Sequence, residues 1–147
     1  ADFYVIKSNA DGAVQWQNLY DVGLNDAVSS IRQTADGGYI MTGSNEADLD
    51  DTFACLLKLN AAGTLQWSNT YESGVITSFA DAREISGGGF LAAGYRVKKE
   101  DVGLSRIETR DALIVKYNAQ GVLVWGKTYG GEEWDKISSL LPASDGN

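Results

Sequence analysis

Two clusters in the 147-residue chain carry the residue types from which chemistry is made. The first is Asp48, Asp50 and Asp51, preceded by Asn45 and Glu46. Several oxygens in one short stretch are the donor set that a hard cation such as Ca2+ takes from a flexible loop. The spacing is not that of an EF-hand, so a Ca2+ site stands beside the plainer reading of a solvated acidic loop. The second cluster is Gly130-Gly131-Glu132-Glu133-Trp134-Asp135, where an aromatic ring suited to stacking is set among carboxylates. Trp134, Glu132 and Glu133 are the candidate ligand contacts, and Asp135 reads as the cap of a turn. Cys55 lies among Phe53, Leu56 and Leu57. That setting suits an inert buried thiol, because a nucleophilic one needs an exposed, electropositive site. Gly87-Gly88-Gly89 lacks the helix start and the lysine of a phosphate loop.

The residues that are missing narrow the chemistry further. There is no histidine, which removes Ser-His-Asp and Cys-His arrangements, the His-x-x-x-His zinc helix and the commonest general base. The formal charge of −8 disfavours nucleic acid and anionic membrane surfaces as partners. The longest basic cluster, Lys98-Lys99, is neutralised at once by Glu100-Asp101. No stretch approaches the roughly 20 apolar residues that span a bilayer, and no basic segment followed by an apolar run marks a signal peptide. A single cysteine rules out an internal disulfide framework. The expectation is a protein that is not an enzyme and that carries no cofactor other than Ca2+ at the acidic loop.

The elements that position these clusters follow from a repeat. Trp16, Trp67 and Trp125 are separated by 51 and then 58 residues. The same offsets relate Lys7, Lys58 and Lys116; Asn9, Asn60 and Asn118; Gly12, Gly63 and Gly121; and Tyr20, Tyr71 and Tyr129. A period of this size signals a propeller or solenoid array. One array over 1–147 then holds units of about 2–51, 52–110 and 111–147. Each unit opens with a hairpin turned by Asn-x-x-Gly, as in Asn9 to Gly12, with the glycine supplying φ > 0. A second hairpin follows, Ala27 to Thr34 and Tyr39 to Gly43, turned by Ala35-Asp36-Gly37-Gly38. Its third counterpart starts as a strand at Lys136 to Leu141 and reaches a turn at Ser144 to Asn147.

Strict repetition makes the three tryptophans packing residues rather than sugar platforms. The three lysines read as capping a strand end or pairing with a neighbouring blade's acid. Phe53, Cys55, Leu57 and Leu59 alternate with Ala54 and Leu56, so this strand is apolar on both faces. A sheet with one wet face would alternate with polar residues; two apolar faces place it between two neighbours. Units differ mainly in the connections Ser44 to Asp51 and Arg96 to Arg110, which read as loops on a binding face.

The pattern resembles the secreted and surface β-propeller repeats of bacteria and archaea. It is carried by Asp111-Ala112-Leu113-Ile114-Val115-Lys116-Tyr117-Asn118, Trp125, Tyr129-Gly130-Gly131, and Asp36-Gly37-Gly38-Tyr39-Ile40-Met41-Thr42-Gly43. The resemblance implies an all-β fold of four-stranded antiparallel blades, with the Ala27 to Thr34 strand innermost. The strands make two outer strands, two complete blades and one inner strand, which is an incomplete ring. The start at Ala1 fits a processed or excised piece, and the register fits a fragment of a longer propeller or a protomer completed by other copies. The expected role is a non-enzymatic extracellular or cell-surface module for protein or glycan contact, or for surface assembly. A lectin-like propeller using Trp134, and a fragment of a propeller glycosidase or lyase with paired carboxylates, are the alternatives.

Overall fold

The computed structural model describes residues 2–46, 52–71, 75–102 and 105–143. It holds ten strands: β1 (Phe3–Ser8), β2 (Val14–Tyr20), β3 (Asn25–Gln33), β4 (Tyr39–Glu46), β5 (Thr52–Leu59), β6 (Leu65–Tyr71), β7 (Thr77–Glu84), β8 (Phe90–Val102), β9 (Ser105–Tyr117) and β10 (Leu123–Tyr129). They form a two-stranded sheet β1-β2 and two four-stranded sheets, β3-β4-β5-β6 and β7-β8-β9-β10. Every pairing is antiparallel. The fold is all-β, with propeller-type blades that do not close into a ring.

The sheets stack in chain order, and β5 shows why. Cys55, Leu57 and Leu59 turn one way and pack with Phe3, Val5, Tyr20 and Met41. Ala54 and Leu56 turn the other way and pack with Phe79, Phe90, Leu113 and Val115. Both faces of the middle sheet are therefore core, as a strand without polar alternation requires.

The Asn-x-x-Gly turn is built identically three times. The Oδ1 of Asn9 accepts the amides of Asp11 and Ala13, that of Asn60 accepts those of Ala62 and Thr64, and that of Asn118 accepts those of Gln120 and Val122. The turn glycines Gly12, Gly63 and Gly121 have φ of 84°, 77° and 79°. Two of these turns also latch onto the preceding sheet. The Gly63 carbonyl accepts the Asn18 amide at 3.1 Å and the Tyr20 hydroxyl, and the Gly121 carbonyl accepts the Asn69 amide at 2.8 Å. The Trp16 ring lies against Gly63 and the Trp67 ring against Gly121, so close that a Cβ would approach them to 2.9 Å and 2.7 Å. Each ring also meets an aromatic edge, Trp16 with Tyr39 at 5.7 Å and Trp67 with Phe90 at 5.6 Å. Trp16 and Trp67 are inter-sheet packing residues.

The first strand of each blade bulges, between Val28 and Ser30 in β3 and between Phe79 and Asp81 in β7. The closing glycines of the motif face these bulges, Gly43 against the Ala27 carbonyl and Gly94 against the Ser78 carbonyl, with no room for a Cβ.

Three expectations are corrected. The stretch Arg96 to Arg110 is not a loop: β8 and β9 continue pairing from Arg96↔Asp111 to Val102↔Ser105 as a long hairpin arm. The ladder is a backbone one, with a cross-strand ion pair of Lys99 with Glu108 at 3.9 Å and with Val97 buried at its base. The stretch Lys136 to Leu141 forms no strand, because among the described residues no neighbouring strand offers it a ladder. It is pinned instead on β7 and β8, through Ile137 N–H to the Gly94 carbonyl at 3.0 Å and Leu140 N–H to Asp81. Lys58 does pair with an acid, but with Asp36 of its own sheet at 2.8 Å rather than one of a neighbouring blade.

Candidate ligand-binding site

The connection after β10 carries Trp134, and three contacts fix it. The indole N–H donates to the Glu108 carbonyl at 3.2 Å, the Arg110 guanidinium lies 4.5 Å from the ring centre, and the backbone forms a parallel bridge to Arg110. Arg110 also lies 4.5 Å from the ring of Tyr95, which makes a Tyr95–Arg110–Trp134 stack. A guanidinium between two aromatic faces is held by their quadrupoles and loses little freedom when a ligand arrives. Asp135 N–H donates to the Arg110 carbonyl at 2.6 Å and closes the junction.

The ring remains 64% exposed, on a cleft of about 240 Å³ lined by Arg110, Trp134, Asp135 and Lys136. An immobilised indole with its N–H already satisfied, bordered by a carboxylate and two cations, can stack on an apolar ring face and hydrogen-bond around its rim. Glu132 and Glu133 are exposed in the bend just before and do not line this cleft. Asp135 belongs to the same sequence cluster as Trp134, but Arg110 was not legible as a wall, because it reaches the cleft from β9.

Of the candidate metal residues, Asp48, Asp50 and Asp51 lie outside the described residues. A different acidic group does converge: one carboxylate oxygen each of Asp2, Asp21 and Asp26 lies within 4.8 Å of the others. Asp2 and Asp21 flank the open end of the β1–β2 ladder beyond its Phe3↔Tyr20 rung, and Asp26 lies on β3. Nothing in their spacing predicts this meeting. The available signal was that Asp2 and Asp26 recur at the matching positions of the third unit, as Asp111 and Asp135.

The repeated lysines have diverged in partner. Lys58 Nζ donates to Asp36, to the Leu59 carbonyl at 3.0 Å and to Gln66 at 3.2 Å. Lys7 sits 5.8 Å from the Tyr39 ring centre. For Lys116, the position matching Asp36 is Gly87.

Two further ionisable groups belong to the scaffold. Asp81 is fully buried at the junction of β3, β7 and the segment after β10. It accepts from Ser30, Arg32, its neighbour Ala82 and Leu140, and it pairs with Arg83. Burial would raise its pKa, but these donors outweigh the loss of solvent and hold it below the ordinary value. Burial pushes the Cys55 thiol up to about 12, which keeps it protonated and inert.

No protein-family model matches the chain, and no curated protein matches it.

Proposed function

We propose that the chain is a non-enzymatic, extracellular or cell-surface β-propeller module that adds further sheets of its own kind at its free faces and presents loops for protein or glycan contact. The further sheets come from the remainder of a longer chain or from other copies. The observation that supports this is a comparison of matching positions. In the middle sheet Ile40, Ala54 and Leu56 are covered by the next sheet, together with the partly buried Trp67 and Tyr71. Their counterparts in the last sheet are Leu91, Ala112, Ile114, Trp125 and Tyr129, a similar apolar set over which no further sheet lies among the described residues; Ala112 stays buried, whereas Tyr129 is 52% exposed. At the other end, Tyr4 and Ile6 are half exposed, whereas their counterparts Cys55 and Leu57 are buried by β1–β2. Apolar faces of this kind mark interaction surfaces.

The test is sedimentation and apolar-dye binding on the purified chain and on Ile6→Lys and Ile114→Lys. Concentration-dependent association or dye binding that either substitution weakens is the expected result. A chain that stays a 15.8 kDa monomer at every concentration and binds no dye overturns the reading.

Carbohydrate contact at Trp134 is a second reading, supported by the exposed, pre-stacked indole. Binding on a glycan array that Trp134→Ala abolishes is expected; silence across the array, or binding that survives the substitution, removes it.

A further inference from the structure

Asp26 and Asn45 are directly opposed across the β3–β4 ladder, and both bond the backbone of one residue, Val22. Asp26 Oδ2 accepts the Val22 N–H at 2.9 Å, and Asn45 Nδ2 donates to the Val22 carbonyl at 2.7 Å. The orientation of the Asn45 amide follows, since a flip would set two oxygens against each other. The second oxygen of each side chain is then left over. Asp26 Oδ1 and Asn45 Oδ1 are buried with no hydrogen-bond donor among the described residues, in residues only 9% and 5% exposed. Leaving a buried acceptor without a donor is costly, and a buried carboxylate oxygen more so. Asp2 and Asp21 bring two more carboxylates to the same place. The turn bearing Asp21 presses on Asn45 so closely that a Cβ on Gly23 would come 2.9 Å from the Asn45 Cβ.

We propose that Asp2, Asp21, Asp26 and Asn45 form a site for a hard divalent cation of the Ca2+ class. Oxygens bound to one Ca2+ at about 2.3–2.6 Å lie no more than about 5 Å apart, the spread these carboxylates show. All donors are oxygen, with no histidine or thiolate, which disfavours zinc. The second unit supplies an internal control. Its matching positions are Phe53, Glu72, Thr77 and Arg96, so two carboxylates are lost and an arginine stands where Asn45 does. Thr77 there is satisfied by protein, accepting the Ala54 N–H and donating to the Tyr71 carbonyl. The first unit has three acids and, where the second has Arg96, an uncharged Asn45. A metal would tie the open end of β1–β2 to β3 and β4, and so fasten the first sheet to the second.

The experiment uses the chelator-stripped chain, titrated with CaCl2 by calorimetry and followed by thermal unfolding. The wild type is expected to bind at about 1 mM Ca2+ or below and to gain thermal stability. Asp2→Asn/Asp21→Asn, which alters only exposed carboxylates, should weaken binding at least about tenfold while melting at or above the wild type without Ca2+, because repulsion is relieved. Asp48→Asn/Asp50→Asn/Asp51→Asn should bind like the wild type. No heat and no stabilisation in the wild type overturns the site. So does binding that survives the first double variant or is lost only in the triple one.

Discussion

Lys58 and Asp36 form an ion pair in which the two partners see different worlds: the lysine side chain is 6% exposed and the aspartate 56%. The lysine cannot leave its site with its charge, whereas the aspartate reaches down from water to meet it. The cost of breaking the pair therefore depends on which partner is removed.

Asp36→Asn should destabilise by roughly 1–2 kcal/mol, because it strands a buried ammonium on the Leu59 carbonyl and Gln66. Lys58→Met should cost less, since it leaves a carboxylate that water can solvate. Urea titrations of the two variants rank them; an equal or reversed order shows that the pair does not carry the charge asymmetry. The hydrogen bond from Lys58, then those from Thr34 and Gly38, hold the Asp36 carboxyl far below its ordinary value. Its contribution is thus full above the unfolded carboxylate pKa of about 3.9 and fades as the pH falls through that value toward the folded one. Asp36→Asn should flatten the acid limb of the wild-type stability curve.

The three turn glycines separate backbone strain from packing. Gly12, Gly63 and Gly121 share a left-handed conformation, but a methyl group meets nothing at Gly12 and meets a tryptophan at the other two. Gly12→Ala should cost about 1–2 kcal/mol, the strain alone. Gly63→Ala and Gly121→Ala should each cost at least about 1 kcal/mol more, because the Trp16 or Trp67 ring must move. Equal losses at all three positions, measured by denaturant unfolding, would mean that the inter-sheet latch contributes nothing.

Asp81 ties the segment after β10 to the last blade. Asp81→Ala should cost about 2–3 kcal/mol and free that segment, since Leu140 N–H loses its acceptor and two arginines lose their carboxylate. Hydrogen exchange at the Leu140 amide and protease cleavage near Leu141 should both accelerate. Unchanged protection at Leu140 contradicts this anchoring.

Cys55 should resist thiol reagents in the folded chain at pH 8 and react at once in urea. Because burial raises its pKa, stability falls as the pH climbs from the ordinary thiol range toward about 12, and Cys55→Ala should remove that alkaline dependence. Rapid labelling of the native protein falsifies the burial argument.

The blades were readable because a repeat prints its packing several times over. Trp16 and Trp67, Asn9 and Asn60, and Gly43 and Gly94 each do the same work at matching positions. Three features escaped. The arm from Arg96 to Arg110 is a backbone ladder whose sequence is mostly polar and charged, without the apolar alternation that marks a strand. The meeting of Asp2, Asp21 and Asp26 depends on how one sheet end lies over the next, and so on stacking rather than on any local spacing. The segment after Trp134 failed for a third reason: its sequence has the character of a strand, but a strand requires a partner.

The two end faces of the stack are chemically unlike, Tyr4 and Ile6 at one and Ile114, Trp125 and Tyr129 at the other. A two-fold axis would set like against like, whereas the internal interfaces always join one kind of face to the other. Copies of this chain associating through these faces would have to follow one another in a single direction. The outcome is then a rotational symmetry of closed order or an open fibre, decided by whether the turn per copy divides a full circle.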